Sequence, residues 1–175
     1  MKISNDIVIF IVEDDQIQAD ILNDKLLEYN AEYTIMHFKN GSDLLSHLKN
    51  AYAKNKYNYV ILDYYLQTKE NAIALNGLEV IKLLSEQNPK VKIIVFSAFE
   101  NDDDVNFMEL MKEPNVIECV KKSDHAFSRI QNILRYDYAE KSLFKRKRRF
   151  QWALLSFIII LSISLLHFIF SYFSF

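Results

Sequence analysis

Residues 7–16 read IVIFIVEDDQ, a run of six apolar residues followed directly by three acidic ones. Five of the six are β-branched and the sixth is Phe10, a composition that favours a buried β-strand. The run is too short for a secretory signal peptide and passes straight into acidic residues. It therefore predicts a strand whose carboxyl end presents Glu13, Asp14 and Asp15.

The first 135 residues repeat this pattern, with short apolar runs separated by longer segments of helical spacing. Ser42 is a predicted helix N-cap because it precedes a Leu-rich apolar stripe. Five strand–helix units predict an α/β fold, a doubly wound five-stranded parallel sheet with helices on both faces. The predicted strands are Ile7–Val12, Tyr33–Phe38, Tyr59–Leu62, Lys92–Phe96 and Val116–Val120. The predicted helices are Gln16–Tyr29, Ser42–Ala53, Leu78–Glu86, Asp102–Met111 and one that begins after Ser123.

The functional site of such a sheet lies beyond the carboxyl ends of its strands. Asp63 follows the third strand, Ser97 the fourth, and Lys121 with Lys122 the fifth. Clustered carboxylates repel one another, and Mg²⁺ relieves that repulsion by binding their oxygens. A carboxylate such as Asp63 can form an acyl phosphate, and a Lys and a Ser can bind phosphoryl oxygens. Each residue alone is more often a helix cap or a solvated surface group, so only their combination predicts a phosphoryl-transfer site.

Five segments resemble the response regulator receiver family of two-component signalling, over about residues 5–135. They are IFIVEDDQ, YVILDYYL, GLEVIKLL, IIVFSA and CVKKS. The resemblance implies a flavodoxin-like receiver fold in which Glu13, Asp14 and Asp63 hold Mg²⁺. It also implies that Asp63 is the phosphorylated aspartate and Ser97 the switch hydroxyl.

The segment CVKKS contains two lysines, and the resemblance implies that Lys122 is the family's active-site lysine. This register places Cys119, rather than Glu118, where relatives carry a buried or switching aromatic residue. The chain therefore lacks the aromatic side chain whose rotamer change accompanies activation in many relatives.

The connection from Asp63 to Gly77 is longer than is usual for the family. Its residues 64–76 can act as a lid, as a partner contact or as a solvated insertion. Tyr65 and Phe99 stand two residues after the predicted phosphoacceptor and switch positions. The resemblance implies that side chains there flank the path of attacking water, so two bulky aromatic residues predict slow hydrolysis of the acyl phosphate.

Charge is distributed unevenly along the chain. Six of the 21 basic residues and none of the 23 acidic ones lie after Glu140, which leaves 15 basic against 23 acidic residues and a net charge of −8 in residues 1–140. This acidic portion argues against DNA binding, which requires a basic face. The single cysteine, Cys119, excludes an intramolecular disulfide and fits a reducing cytoplasm.

The C-terminal segment, residues 152–175, reads WALLSFIIILSISLLHFIFSYFSF and contains no Asp, Glu, Lys or Arg. A helix of this length covers about 36 Å, enough for a hydrocarbon core of about 30 Å. The alternative is a buried core helix, which is usually shorter and carries charged residues on one side. We expect a single-pass transmembrane helix.

A basic cluster, Lys145–Arg149, directly precedes this apolar segment. Cytoplasmic flanks of membrane spans are rich in Lys and Arg, so the cluster predicts that the receiver-like part faces the cytoplasm at the inner membrane. A solvated charge run or a nucleic-acid patch is the alternative. The predicted domains are a receiver domain at 1–135, a helical basic juxtamembrane linker at 136–150 and a transmembrane helix at 151–175.

Small and polar residues recur at spacings of three and four in the apolar segment, which places them on one face of a helix. Membrane helices use such residues to approach one another closely, so the face predicts that the segment forms a homodimer as well as an anchor. The face consists of Ala153, Ser156, Ser164, His167 and Ser171, with the apolar Ile160 between Ser156 and Ser164. The alternative is that these serines have no such role, as in many single spans.

Two classes of function fit these patterns. In the first, a histidine kinase or phosphotransfer protein phosphorylates Asp63, and an unidentified downstream protein responds at the lipid bilayer. Such a domain is no enzyme beyond its own phosphorylation and dephosphorylation. In the second, a phosphorylation-independent adaptor recruits proteins to the membrane. A haloacid-dehalogenase-like phosphatase fits less well, because its second carboxylate is expected at Tyr65.

Overall fold

The computed structural model describes residues 6–51, 56–66, 75–98 and 109–173 of the 175-residue chain. The chain divides into two compact units, Met1–Ile133 and Leu134–Phe175. The first unit contains a β-sheet with helices, and the described part of the second unit is helical.

Five strands form one parallel sheet in the first unit. They are β1 (Ile7–Val12), β2 (Thr34–Phe38), β3 (Tyr57–Leu62), β4 (Lys92–Ser97) and β5 (Val116–Lys121), in the order β2-β1-β3-β4-β5. The chain moves outward from β1 to β2 and then returns past β1 to β3, so its connecting helices fall on opposite faces. This topology confirms the predicted doubly wound, flavodoxin-like fold.

Four helices have defined bounds: α1 (Gln16–Tyr29), α2 (Gly41–Ala51), α3 (Gly77–Gln87) and α4 (Ala126–Phe173). The predicted first helix has the same bounds as α1. Residues 52–53 of the predicted second helix lie outside the described residues. So does most of the predicted helix Asp102–Met111, of which residues 109–110 are helical.

The three central strands β1, β3 and β4 are buried on both faces, which explains why β1 and β4 read as continuous apolar runs rather than as alternating ones. All six residues of β1 are buried. Val8, Phe10 and Val12 belong to a core cluster that also contains Leu48 of α2 and Ile81 of α3. Burying a large apolar side chain contributes roughly 1.5–3 kcal/mol, so this cluster is a main source of stability for the first unit.

The strand register aligns the candidate residues at one edge of the sheet. Val12 of β1 pairs with Leu62 of β3. Glu13 directly follows Val12 and Asp63 directly follows Leu62, so the two acidic residues come at the same level of the sheet. The backbone N–H of Asp63 donates to the Val12 carbonyl oxygen at 2.9 Å, which extends the pairing one step further. On the other side of β3, β4 pairs with β5 up to Ser97 and Lys121. The carboxyl ends of four strands therefore meet at one edge.

The N-terminus of α2 is capped by Asn40, and the prediction of Ser42 as the cap is wrong. The Asn40 side-chain oxygen accepts from the Asp43 backbone N–H at 2.9 Å, and its Nδ2 donates to Asp43 Oδ2 at 2.9 Å. The helix begins at Gly41, one residue earlier than predicted. Asn and Ser are both strong N-cap residues, and the chain has two candidates here within three positions.

The start of α3 is held close to the end of β3. Asn76 caps α3 in a capping box with Glu79. A Cβ atom added to Gly77 would lie 2.7 Å from the Tyr64 carbonyl oxygen and 2.9 Å from Tyr64 Cα. Because those are backbone atoms, only glycine allows this approach. The helix therefore starts against the residue that directly follows Asp63.

Gly41 lies in a similarly crowded position between α2 and α3. A Cβ atom there would lie 2.1 Å from Cγ2 of Val80, which is fully buried. We expect Gly41→Ala to lower the free energy of unfolding by about 1–3 kcal/mol, because overpacking outweighs the roughly 1 kcal/mol that alanine gains in a helix. Ser42→Ala, at the exposed neighbouring position, is the matched control for urea unfolding. A Gly41→Ala protein as stable as the control would contradict this packing.

Candidate functional site

Glu13, Asp63 and Lys122 lie together at the carboxyl edge of the sheet. The Lys122 Nζ atom is 2.8 Å from Glu13 Oε2 and 2.8 Å from Asp63 Oδ2. The side chains of Glu13 and Asp63 are only 5% and 9% exposed, and that of Lys122 is 18% exposed. One ammonium group thus bridges two buried carboxylates that come from different strands.

The backbone of each residue is anchored by the sheet. The Glu13 N–H donates to the Phe38 carbonyl oxygen at 3.1 Å, and the Lys122 N–H donates to the Ser97 carbonyl oxygen at 2.9 Å. The Tyr65 N–H donates to Asp63 Oδ1 at 3.1 Å, so both oxygens of Asp63 have a donor. The three side chains therefore project from fixed backbone positions, as a preorganised site requires.

Burial and ion pairing shift the pKa values of Glu13 and Lys122 in opposite directions. Burial raises the pKa of Glu13, and the hydrogen bond from Lys122 only partly offsets that effect, while the charge of Asp63 adds to it. Burial lowers the pKa of Lys122, but its hydrogen bonds with Asp63 and Glu13 outweigh burial and raise it overall. The ammonium therefore remains charged and supplies the positive charge that the two carboxylates need.

A cluster of carboxylates at this edge has the composition of a divalent cation site. Ligand oxygens of Glu13, Asp14 and Asp63 all lie within 4.8 Å of one another, with Asp14 the most exposed of the three. Three carboxylates and the Lys122 ammonium leave two net negative charges, which a divalent cation balances. Oxygen donors of this kind suit Mg²⁺, so the residues present fit that ion.

Asp15 does not join this cluster. Its side chain caps α1 and accepts from the backbone N–H of Ile17 at 2.8 Å and of Gln18 at 3.3 Å. The bonds from Gln18 are the main reason why the pKa of Asp15 is lowered. The three consecutive acidic residues therefore divide between two tasks, since the third one stabilises a helix start.

Ser97 is fully buried at the end of β4. Among the described residues, its Oγ atom has no hydrogen-bond partner. A buried hydroxyl without a partner carries a free-energy cost of about 1–3 kcal/mol. Its donor and acceptor capacity is therefore available to a group that enters the site.

The two adjacent lysines have different environments. Lys122 contacts the acidic residues, whereas Lys121 is the last residue of β5 and is exposed. Lys122 also lies 5.3 Å from the centre of the Phe96 ring, a cation–π distance. The geometry agrees with the register that the resemblance implies for Lys122.

One contact of this site was missed in the sequence. The Lys122 ammonium also donates to the side-chain oxygen of Gln18 at 2.7 Å. Gln18 lies in the first turn of α1, five residues after Glu13, and no spacing rule marks it. Only the position of α1 against the sheet edge brings its amide to the lysine.

Cys119 occupies a buried position in β5. Its Sγ atom is 3.7 Å from the Met111 sulfur, and burial raises the pKa of the thiol to about 11. At pH 8 the thiolate is then roughly 100-fold scarcer than for an ordinary thiol, because the pKa is about two units higher. Cys119 is thus a small apolar residue of the core rather than a reactive one.

We therefore expect the alkylation of Cys119 by iodoacetamide to be slow at pH 8 and to rise with pH beyond pH 10. As the only cysteine, it gives an unambiguous signal by mass spectrometry. The same protein unfolded in urea is the control, in which the thiol should react at the ordinary rate. A native rate that levels off near pH 9 would show that the thiol is not shifted.

Residues 9–130 match the family described as the response regulator receiver domain, and the chain therefore belongs to that family. A comparison with curated proteins found no match. Among solved structures, a CheY-like receiver protein from Methanospirillum hungatei has a TM-score of 0.61 at 15% identity, over 77% of this chain and 95% of that one. The N-terminal domain of a response regulator/sensory box/GGDEF protein from Carboxydothermus hydrogenoformans has a TM-score of 0.60 at 17% identity, over 78% and 97%. The phosphorylated cyanobacterial phytochrome response regulator RcpA has a TM-score of 0.54 at 20% identity, over 72% and 87%.

At these identities the structural likeness shows the fold, and the family match gives the general role. A receiver domain of the response regulator type supports a role in two-component signalling. Receiver domains are regulatory domains rather than typical enzymes, and they interact with kinases or phosphotransfer proteins and with downstream partners. They bind Mg²⁺ at an acidic pocket, which corresponds here to the cluster of Glu13, Asp14 and Asp63.

The helix α4 is a candidate transmembrane span. Among the described residues it is the one helix whose length and composition would allow it to cross a membrane, with a mean hydropathy of 1.9 in its most apolar stretch and no burial there. The basic cluster Lys145–Arg149 is exposed, as are Phe150 and Trp152 beside it. An exposed basic and aromatic band next to an apolar helix is typical of the membrane–water interface.

Proposed function

We propose that this chain is a membrane-anchored response regulator that accepts a phosphoryl group on Asp63 in the presence of Mg²⁺ and signals to a partner protein at the membrane. The observation that carries this proposal is the bridge from Lys122 to both Glu13 and Asp63 at 2.8 Å, beside a third carboxylate, Asp14. This charge arrangement suits a divalent ion together with a phosphoryl group.

Asp63 is the proposed nucleophile. One of its carboxylate oxygens attacks the phosphorus of a phosphohistidine on the kinase or phosphotransfer protein, so a P–O bond forms while the P–N bond breaks and the imidazole leaves with the electron pair. The Tyr65 N–H orients the carboxylate through Oδ1. Positioning of this kind accounts for much of the catalysis in phosphoryl transfer.

Lys122 and Ser97 are the proposed ligands of the phosphoryl oxygens. The ammonium already lies against Asp63, and the Ser97 hydroxyl has no partner among the described residues. Glu13, Asp14 and Asp63 would hold Mg²⁺, which when bound supplies positive charge to the phosphoryl oxygens. Binding of the Ser97 hydroxyl to the acyl phosphate would relieve the cost of its unpaired burial and change the surface near β4.

The second part of the proposal concerns location. We infer that the apolar part of α4 crosses the inner membrane with the receiver domain on the cytoplasmic side. The exposed basic cluster Lys145–Arg149 supports this orientation, because such flanks stay in the cytoplasm and attract anionic headgroups. The partner is then a membrane or membrane-associated protein, since diffusion of the receiver domain is confined to the bilayer surface.

Titration of the detergent-solubilised full chain with beryllofluoride and Mg²⁺ tests the phosphoacceptor proposal. We expect the amide NMR signals near Asp63 to shift with Mg²⁺ alone and to shift further with beryllofluoride, and those near Ser97 to shift only when both are present. The competing function is an adaptor that never becomes phosphorylated, and it predicts no further change in the spectra when beryllofluoride is added to the protein with Mg²⁺. The intact set of acidic, hydroxyl and ammonium groups favours the first function, because an adaptor has no need for it.

Tyr65 offers a test of the lifetime of the acyl phosphate. The residue is 44% exposed, and its ring packs edge-on against that of Tyr64 with 5.2 Å between the ring centroids. We expect the acyl phosphate on Asp63 to decay several-fold faster in Tyr65→Asn than in wild type, because a bulky ring no longer obstructs the attacking water. Tyr65→Phe keeps the bulk and should decay at the wild-type rate. The other aromatic residue in this prediction, Phe99, lies outside the described residues. Decay as slow in Tyr65→Asn as in wild type would refute the shielding role.

Homodimerisation through α4 stays a prediction. The Ser156 hydroxyl donates to the Ala153 carbonyl oxygen of its own helix at 2.8 Å. It can therefore take part in an interhelical contact as an acceptor or as a small residue.

A further inference from the structure

Lys122 has as many acceptors as it has protons to donate. An ammonium group carries three N–H donors. Its three acceptors are Glu13 Oε2 at 2.8 Å, Asp63 Oδ2 at 2.8 Å and Gln18 Oε1 at 2.7 Å. The shortest of these contacts is made by the neutral side chain, which is not one of the acidic residues of the cluster.

The orientation of the Gln18 amide follows from the chemistry of its neighbours. Its nitrogen donates to Asp15 Oδ2 at 3.3 Å, while its oxygen accepts from Lys122. A carboxylate can only accept and an ammonium can only donate, so the reverse orientation of the amide would break both contacts. Asp15 is itself fixed as the cap of α1. A series of hydrogen bonds therefore connects the cap residue Asp15 to Lys122 through the Gln18 amide.

Glu13 and Asp63 differ from Gln18 in what else they must do. Both carboxylates are also the proposed holders of Mg²⁺, and Asp63 is the proposed phosphoacceptor. When the site is loaded, those two acceptors are engaged elsewhere, whereas the Gln18 amide is not required by the metal. Among the described residues, Gln18 is thus the one acceptor of the Lys122 ammonium that can keep its hydrogen bond unchanged when Mg²⁺ and a phosphoryl group are bound.

We propose that Gln18 is a positioning residue that holds the Lys122 ammonium at the site while the two carboxylates are engaged with metal and phosphoryl group. The inference rests on the proposed phosphoacceptor function. Because its amide is neutral, Gln18 orients the lysine without adding a fourth negative charge to the acidic cluster. A carboxylate in its place would increase repulsion with the incoming phosphoryl group.

The test uses Gln18→Met, which keeps the length of the side chain and removes the acceptor, on the detergent-solubilised full chain. We expect beryllofluoride to bind roughly 3–10-fold more weakly at saturating Mg²⁺, an effect reduced by the exposure of the contact. The Kd of Mg²⁺ alone should change less than twofold, because Gln18 lies outside the carboxylate cluster. A merely structural role would lower both affinities together.

Gln16→Met is the matched control. Gln16 has the same side chain in the same turn, but its amide donates to Asp20 at 2.9 Å and does not contact the site. The Gln16→Met protein should bind beryllofluoride with the same affinity as wild type. The proposal is overturned if Gln18→Met binds beryllofluoride as tightly as wild type, or if Gln16→Met is weakened equally.

A second measurement does not depend on the loaded site. In the protein without Mg²⁺, the ¹⁵N-detected ammonium signal of Lys122 should exchange with water several-fold faster in Gln18→Met than in wild type or Gln16→Met. Equal exchange in all three proteins would overturn the positioning role. Failure of the wild-type protein to bind beryllofluoride would instead reject the proposed phosphoacceptor function, while the exchange measurement would still report on the contact.

Discussion

Asp63→Asn is expected to abolish covalent phosphorylation by acetyl phosphate or phosphoramidate while the fold is retained. An amide oxygen is a far weaker nucleophile than a carboxylate oxygen and does not form a stable acyl phosphate. The substitution is nearly isosteric, and the backbone of Asp63 remains bonded to Val12. It also relieves the repulsion from Asp63 that raises the pKa of Glu13. The Mg²⁺-dependent mass increase by one phosphoryl group should therefore disappear from the intact-protein mass spectrum.

Asp24→Asn is the matched control for this experiment. Asp24 is an exposed carboxylate on α1, and the protein with that substitution should accept the phosphoryl group as wild type does. Circular dichroism of both variants establishes that the fold is retained. A phosphorylated Asp63→Asn protein would show that another residue is the acceptor and would remove the basis of the proposed function.

Two arginines in the apolar part of α4 are expected to release the protein from the membrane. Ile159 and Ile163 are exposed and four residues apart, so they lie on the same side of the helix. Each arginine at the centre of a span costs about 2.5–3.5 kcal/mol, so the pair costs roughly 5–7 kcal/mol. We expect most of the double variant to leave the alkali-resistant membrane fraction, in which the wild-type protein should remain.

The control replaces the same two residues by leucine, which preserves hydropathy. That protein should stay in the membrane fraction. If alkali extracts the wild-type protein itself, α4 does not cross the bilayer, and the proposal of a transmembrane anchor is wrong. Phosphorylation of Asp63 can be measured on the same preparations, so the two parts of the proposed function are tested separately.

The sheet was predictable because its strands are short, largely apolar segments, of which β1 and β4 are the richest in β-branched residues. The predicted bounds of the first strand coincide with β1, and its acidic end falls where Glu13 meets Asp63. Parallel strands bring their carboxyl ends to one edge, so residues far apart in the chain could be placed together before any contact was known. Lys122, 109 positions after Glu13, is the clearest case.

What could not be predicted depends on side-chain geometry. Asn40 and Ser42 are equally plausible caps by residue type, and only the path of the chain into α2 decides between them. Gln18 reaches Lys122 because α1 lies beside the sheet edge, which no spacing encodes. The different role of Asp15 within three consecutive acidic residues likewise depends on the local start of the helix.

The close approach of Gly77 to Tyr64 bears on how far the connection after Asp63 can vary in length. Leu66 is buried in the core on one side of the connection, and the capped start of α3 is fixed on the other, so both ends of the stretch 67–74 are held independently of its content. Doubling the length of a loop between fixed ends costs only about 0.6 kcal/mol. The sequence between these two fixed points can therefore change in length at a small cost in stability, while the backbone of Asp63 stays bonded to Val12.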